Sequence, residues 1–298
     1  MSQNSKLIIG ILLVLIGVAI FLVILTKPAP ETPAPIVDEI EEPIAPVAPT
    51  TTHQIIGSSV EGRKIESFTF GTGETNILFV GGIHGGYEWN STLLAYDMID
   101  HLTTDPSMIP SNVTVHIIPN LNPDGLFLAT GLEGRFTSAD ITDYSMHTAG
   151  TGRMNANGVD LNRNFDCNWS PESTWRSQPV SGGVTVFSEP EAVALRDYVA
   201  AHPPAAAIFW HSMADNVYGS SCDGNLTPEA RTLVDTYANA SGYGAVPLFT
   251  AYAVTGAAED WLASLGVPSV TVELGSRTSP EWTKNLAGTA AVLQLYGK

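Results

Sequence analysis

Apolar and polar positions alternate along this chain in three different rhythms, and each predicts a different kind of segment. From Leu7 to Thr26 the residues are almost uninterruptedly apolar. About 20 apolar residues are enough to span a bilayer as a helix. Lys6 precedes the run and Lys27 ends it, with acidic residues soon after. A secretory signal peptide needs a shorter apolar core and an A-x-A-like cleavage site, and neither fits. Residues 1–27 therefore read as an uncleaved transmembrane anchor. The slight charge asymmetry favours the N-terminus inside and the bulk of the chain outside, at a cell surface or in a periplasm.

Residues 28–52 follow a second rhythm, Pro, Ala, Thr and Glu with Asp38, Glu39, Glu41 and Glu42 clustered. Such a segment cannot bury enough apolar surface to fold, and its prolines make it an extended spacer. From His53 to Lys298 short apolar runs alternate with helical patterns. Lys64 to Phe70, Ile77 to Val80, Val113 to Pro119, Ala205 to Trp210 and Ser269 to Leu274 read as strands. Leu94, Met98 and Leu102 recur at helical spacing. Ser188 with Glu191 looks like a capping box, Thr227-Pro228 opens a helix that Gly242 closes, and Ser279-Pro280 opens the last. The alternation predicts one α/β domain over residues 53–298, with a mixed, mostly parallel central sheet and helices on both faces.

A formal net charge of -17 argues against a nucleic-acid partner, although part of that acidity lies in the spacer. The two cysteines, Cys167 and Cys222, suit an oxidising compartment if they pair; the other reading is two partly buried thiols. A disulfide would tie the loop after Arg163 to the loop after His211.

The chemistry concentrates where predicted strands end. The run Ile77-Leu78-Phe79-Val80 leads into Gly81-Gly82-Ile83-His84-Gly85-Gly86-Tyr87-Glu88, so a histidine and a carboxylate sit in a glycine-rich turn between strand and helix. Ile208-Phe209-Trp210-His211 ends a second strand in a histidine. Two imidazoles, a carboxylate and one open position make the ligand set of a catalytic zinc site. A third strand ends in Glu273, which is either solvated or a general base. Between them lies Gly158-Val159-Asp160-Leu161-Asn162-Arg163. Arg163 with Asn162 suits a substrate carboxylate, Asp160 the free N–H of a ligating histidine, and Arg153 an oxyanion. The loop from Tyr252 to Trp261 is either a lid over a ligand or plain surface.

These five stretches, in this order, resemble the zinc carboxypeptidases (M14-type metallopeptidases, or funnelins), and the resemblance covers essentially all of residues 53–298. It implies one zinc ion per chain, held by His84, Glu88 and His211, with Glu273 as general base. It implies that Arg153 polarises the scissile carbonyl, that Asn162 and Arg163 grip the terminal carboxylate, and that Tyr252 caps the substrate. Asn122-Pro123-Asp124-Gly125 and Ser188-Glu189-Pro190-Glu191 are similar to family segments too. One departure is an extra residue between His84 and Glu88, where three residues replace the usual two. Another is Tyr87, which stands where the family has an arginine, so recognition further along the substrate is expected to differ. The position that faces the C-terminal side chain in the family is Glu259 here. A desolvated carboxylate wants a cation, so Lys, Arg or a diamino acid is expected there, unless Glu259 turns to solvent or pairs with a base such as Arg277.

The resemblance implies a zinc metallocarboxypeptidase acting on peptides or cell-wall peptides with a free C-terminal carboxylate, and the apolar run from Leu7 to Thr26 would anchor it to a membrane. The closest rival keeps the site and changes the substrate, to γ-glutamyl-diamino-acid bonds of cell-wall peptides or to acyl groups. A rival of another class is a non-catalytic peptide-binding module on the same fold, which has no need of Glu273.

Overall fold

A computed structural model of the protein describes residues 51–144 and 150–298, together with Leu13, Leu15, Ile16, Phe21 and Leu22. Most of the anchor and nearly all of the spacer expected from the sequence lie outside the described residues. Among those described, no helix is long and apolar enough to cross a membrane.

Eight strands form one sheet: β1 (Thr52–Ser58), β2 (Lys64–Phe70), β3 (Thr75–Val80), β4 (Val113–Ile118), β7 (Ala206–Ser212), β8 (Asn216–Gly219), β9 (Gly244–Val246) and β10 (Ser269–Leu274). Their order is β1-β2-β4-β3-β7-β10-β8-β9. The pairs β4/β3, β3/β7, β7/β10 and β8/β9 are parallel, and the remaining three are antiparallel. A separate hairpin joins β5 (Glu172–Trp175) to β6 (Gln178–Ser181). The helices are α1 (Trp89–Thr104), α2 (Pro123–Thr130), α3 (Pro190–Ala201), α4 (Pro228–Ser241), α5 (Ala258–Ser264) and α6 (Trp282–Tyr296).

Both faces of the sheet are covered, because successive side chains of a strand point to opposite faces. Ile77, Phe79, Ile208, Trp210, Val270 and Val272 pack with Leu94 and Met98 of α1, Leu233 of α4 and Val292 of α6. Leu78, Val80, Ala207 and Phe209 face the other way, onto Leu195 and Val199 of α3 and Trp261 and Leu262 of α5. The parallel strands β3, β7 and β10 are neighbours at the centre of the sheet, so their carboxyl ends meet at one edge, where open α/β sheets bind ligands.

Two helix starts differ from the sequence expectation. The N-cap of α3 is Glu189, and Ser188 spends its hydroxyl on the Glu189 carboxylate at 2.7 Å instead of capping. Pro190 at the first helical position already lacks an N–H, which lowers the need for a cap. The last helix begins at Trp282, after Glu281 in a left-handed conformation, two residues beyond Ser279-Pro280. The α4 ends agree: Thr227 accepts from the Ala230 N–H, and Gly242 closes the helix at φ 80°. β7 runs two residues past Trp210, which puts His211 inside the strand. β1, β8, β9 and the β5–β6 hairpin carry too few apolar residues for alternation to reveal them.

A buried polar cluster sits on the α3 side. His116 bonds the Tyr198 hydroxyl at 2.7 Å and Asn76 Oδ1 at 3.0 Å. Burial, then the nearby His202, push its pKa down from 6.5 to about 4. The unfolded chain therefore takes up a proton between those values that the folded one refuses. The stability His116 confers is present above about 6.5 and is lost as pH falls towards about 4. The urea midpoint should fall between pH 7 and pH 4.5, with a shallower fall in His116→Gln; equal slopes would absolve this residue.

Candidate metal centre

The turn after β3 is built by close approach of three backbones. A Cβ on Gly85 would lie 2.7 Å from Gly152 O and 2.8 Å from Gly125 C, and one on Gly86 would lie 2.3 Å from the Ala129 methyl. Only glycine lets α2 and the loop carrying Arg153 come this near to His84. Asn122 caps α2 through the Gly125 N–H, and its amide donates to Arg153 O at 3.2 Å, which fixes that loop. Residues Gly85–Glu88 form a single 3-10 turn, so the extra residue is wound into the turn ahead of α1.

His84, Glu88 and His211 meet there, all buried. Glu88 Oε1 is 3.1 Å from His84 Nδ1, Glu88 Oε2 is 3.1 Å from His211 Nδ1, and the two Nδ1 atoms are 3.2 Å apart. The Ser212 N–H also donates to Glu88 Oε2, at 3.2 Å. Two nitrogens held tetrahedrally at zinc–nitrogen distances of about 2.0–2.1 Å stand about 3.3 Å apart, so the donor set fits zinc. Its field also favours a cation. Burial disfavours charge on His211, but hydrogen bonds to Glu259 and Glu88 push it up to about 10. Burial likewise opposes charge on Glu88, yet His84 and His211 hold its carboxyl well below the usual range.

The outer nitrogen of each histidine faces a second carboxylate. His84 Nε2 lies 3.5 Å from Asp160 Oδ1, and His211 Nε2 lies 2.8 Å from Glu259 Oε1. Such partners fix the tautomer and orientation of a ligating ring. Asp160 also takes Arg153 Nε and Nη2, each at 2.9 Å. Against the burial penalty, Arg153 and Arg163 keep Asp160 far below the usual carboxylate range.

Glu273 pairs in register with His211 across β10 and β7, so both side chains leave the same face of the sheet. Burial and the Glu88 carboxylate push it up to about 7, against the pull of His211, Arg277 and Arg153. Arg153 Nη1 comes to 3.7 Å from Glu88 Oε1, and its guanidinium lies 4.6 Å from the Trp175 ring centre. Arg163 gives Nε and Nη2 to Thr174 O and Nη1 to Asn162 O. Two of its five N–H groups stay available to a ligand. The Asn162 side-chain Oδ1 accepts from the Ala258 N–H at 2.8 Å, and its Nδ2 reaches Glu259 Oε1 at 3.4 Å, so Asn162 positions the start of α5. Tyr252 packs its ring edgewise on Phe249, 4.8 Å between centres. The site residues expected from the sequence, Asp160 apart, line one cleft of about 720 Å³.

The cleft walls are tied together. Cys167 and Cys222 form a disulfide. Gly256 donates to Cys167 O at 2.7 Å and packs so closely on the Arg163 backbone that a Cβ would lie 2.3 Å from Arg163 O. Two members of the wall, Trp175 and Arg176, lie on the β5–β6 hairpin and had no signal in motif or spacing.

The sequence model described as zinc carboxypeptidase matches residues 44–286. The chain belongs to the zinc carboxypeptidase family. Among curated relatives of this family, it is 27% identical over 245 residues to gamma-D-glutamyl-L-diamino acid endopeptidase 1 of Lysinibacillus sphaericus, covering 76% of this chain and 61% of that one. It is 28% identical over 251 residues to carboxypeptidase B of Helicoverpa zea, covering 74% and 57%. The chain thus spans less than two thirds of either relative. Two solved structures share the zinc carboxypeptidase fold. Thrombin-activatable fibrinolysis inhibitor matches with a TM-score of 0.65 at 20% identity, over 83% of this chain and 69% of that one. The murein-tripeptide amidase of Escherichia coli O157 matches with a TM-score of 0.58 at 23% identity, over 81% and 91%.

Glu259, expected from the sequence to meet the substrate side chain, bonds His211 Nε2 instead. If Glu259 orients that ring, Glu259→Gln should weaken zinc binding by about 10–100-fold, read by competition with a chromophoric chelator. Unchanged affinity, with an altered preference for C-terminal Lys over Leu, would return Glu259 to substrate selection.

Proposed function

We propose that this protein is a zinc-dependent metallocarboxypeptidase that hydrolyses the C-terminal amide bond of a peptide bearing a free carboxylate. The observation that carries it is the convergence of His84 Nδ1, Glu88 and His211 Nδ1, with Glu273 beside them and Arg153 Nη1 3.7 Å from Glu88. Zinc held there supplies Lewis acidity and lowers the pKa of water within its reach. Glu273 takes the proton of the attacking water and hands it to the leaving amine. Arg153, held by Asp160 and stacked on Trp175, stabilises the charge that develops on the scissile oxygen. Arg163, with its two available N–H groups, orients the terminal carboxylate, and Tyr252 closes over the bound substrate.

A second reading has the same site cleave γ-glutamyl-diamino-acid bonds of cell-wall peptides. The similarity to the Lysinibacillus endopeptidase over 76% of the chain favours it, as does a cleft lined by four arginines. The disulfide supports a location outside the cytoplasm, with the apolar N-terminal run as anchor. The test sets C-terminal peptides beside muropeptides, with and without a chelator. Hydrolysis that the chelator abolishes and zinc restores is expected; turnover indifferent to chelation would overturn the reading.

A further inference from the structure

The chain has 13 basic residues against 30 acidic ones, and eight of the 13 are arginine. In so acidic a protein an arginine finds a carboxylate easily. Arg63, Arg135, Arg153, Arg196 and Arg231 each have one within 4.0 Å. Among the described residues the other three, Arg163, Arg176 and Arg277, have none, and all three line the same cleft. Three guanidiniums with no carboxylate in contact leave positive charge in this cleft, which an anionic ligand would neutralise.

They are also divided in space. Arg163 sits with Asn162, the residue that bonds Glu259. Arg176 and Arg277 gather around Tyr87, the neighbour of Glu88. Arg277 donates to the Tyr87 hydroxyl at 2.6 Å and to Tyr87 O at 3.2 Å, with its guanidinium 4.0 Å from the ring centre. Arg176 reaches the same hydroxyl at 3.4 Å and stacks at 5.1 Å on Trp175, whose ring also carries Arg153. Asn90 holds the Arg277 loop to the start of α1 through Ser276 O at 2.6 Å and Ser279 O at 3.0 Å. Arg176 takes the first position of the two-residue β5–β6 turn at φ 56°, a place usually filled by asparagine, aspartate or glycine. A long cationic side chain thus stands where local propensity asks for none, the pattern of a position held for a ligand.

We infer that Arg176 and Arg277, held on Tyr87, form a second anion subsite, which takes a carboxylate on the acyl side of the scissile bond. The inference rests on the hydrolase reading, in which Arg163 already engages the terminal carboxylate. The preferred substrate then carries acid on both sides of the bond cut. Two chemistries provide such a group: the free α-carboxylate of a γ-linked glutamyl residue, and the side chain of an α-linked one.

The test uses zinc-loaded full-length protein and two matched pairs ending in lysine. These are N-acetyl-γ-glutamyl-lysine against its α-amide, and N-acetyl-α-glutamyl-lysine against its glutaminyl counterpart. Wild type should favour the acid over the amide by about tenfold or more in one pair, and that pair names the source of the carboxylate. Measured well above the acid limb, where Glu273 is ionised with or without Arg277, Arg277→Gln and Arg176→Gln should each lower kcat/KM for the acid by roughly 10–100-fold and move the amide by less than about threefold. The unmoved amide shows that the variants fold, and Arg176, on an exposed turn, is the milder change. Equal cleavage of acid and amide in both pairs, or variants that lower both alike, would overturn the subsite. If no substrate turns over, the hydrolase reading falls, and the same pairs are titrated calorimetrically into zinc-loaded Glu273→Gln. Tighter binding of the acid there upholds the subsite, and equal binding removes it.

Discussion

Glu273→Gln should leave about one equivalent of zinc bound and lower kcat by about 10²–10⁴-fold, the range general acid–base catalysis supplies. Glutamine keeps the shape of the side chain and its place opposite His211, but it cannot take a proton. The carboxyl is unusual for its setting. Burial and the negative charge of Glu88 push it up to about 7, while His211, Arg277 and Arg153 favour its ionised form. A base near neutral accepts a proton from water and gives it up again to an amine with little loss in either direction. The base must be deprotonated to work, so kcat/KM should fall as pH drops below its pKa. Zinc at His84, Glu88 and His211 adds positive charge close by, which places the acid limb of the loaded enzyme below 7. Metal content by elemental analysis and a pH profile of both proteins provide the check. A Gln variant that stays active would take the proton transfer away from Glu273.

His211→Ala should lose its zinc on dialysis, and activity with it. The imidazole bonds Glu88 through Nδ1 and Glu259 through Nε2, so its removal deletes a ligand and strands two buried carboxylates. The loss of affinity should exceed the roughly 10–100-fold that an outer partner alone costs. Breaking a buried charged pair from one side also costs about 3–5 kcal/mol of stability, so the thermal midpoint should drop as well. His211→Gln restores a polar partner for Glu259 without an imidazole, and it should recover part of the midpoint but none of the zinc. Full zinc retention in both variants would remove His211 from the ligand set.

The linear chain by itself determined most of the frame. Ile77 to Val80, Ala205 to Trp210 and Ser269 to Leu274 are legible as buried strands because an apolar run flanked by glycine or proline has few other places to go. Their ends carry His84, His211 and Glu273, and the glycines around His84 mark where backbones must touch. Thr227 and Gly242 mark the ends of α4 because a cap is a contact between near neighbours in sequence. What stayed hidden depends on contacts between distant segments. Glu259 is separated from His211 by 48 residues and meets it only because α5 packs beside β7, with Asn162 holding the start of that helix. The disulfide was one of two readings until the loops after Arg163 and His211 were brought side by side. Arg176 and Trp175 lie on a hairpin with no apolar alternation, and Arg277 follows a strand by three residues with no motif around it. Their convergence on Tyr87 is a product of the fold. Hydrogen bonding within a turn or helix end is encoded locally, whereas the charge that faces a given nitrogen or guanidinium is decided by which loops the sheet order sets next to each other.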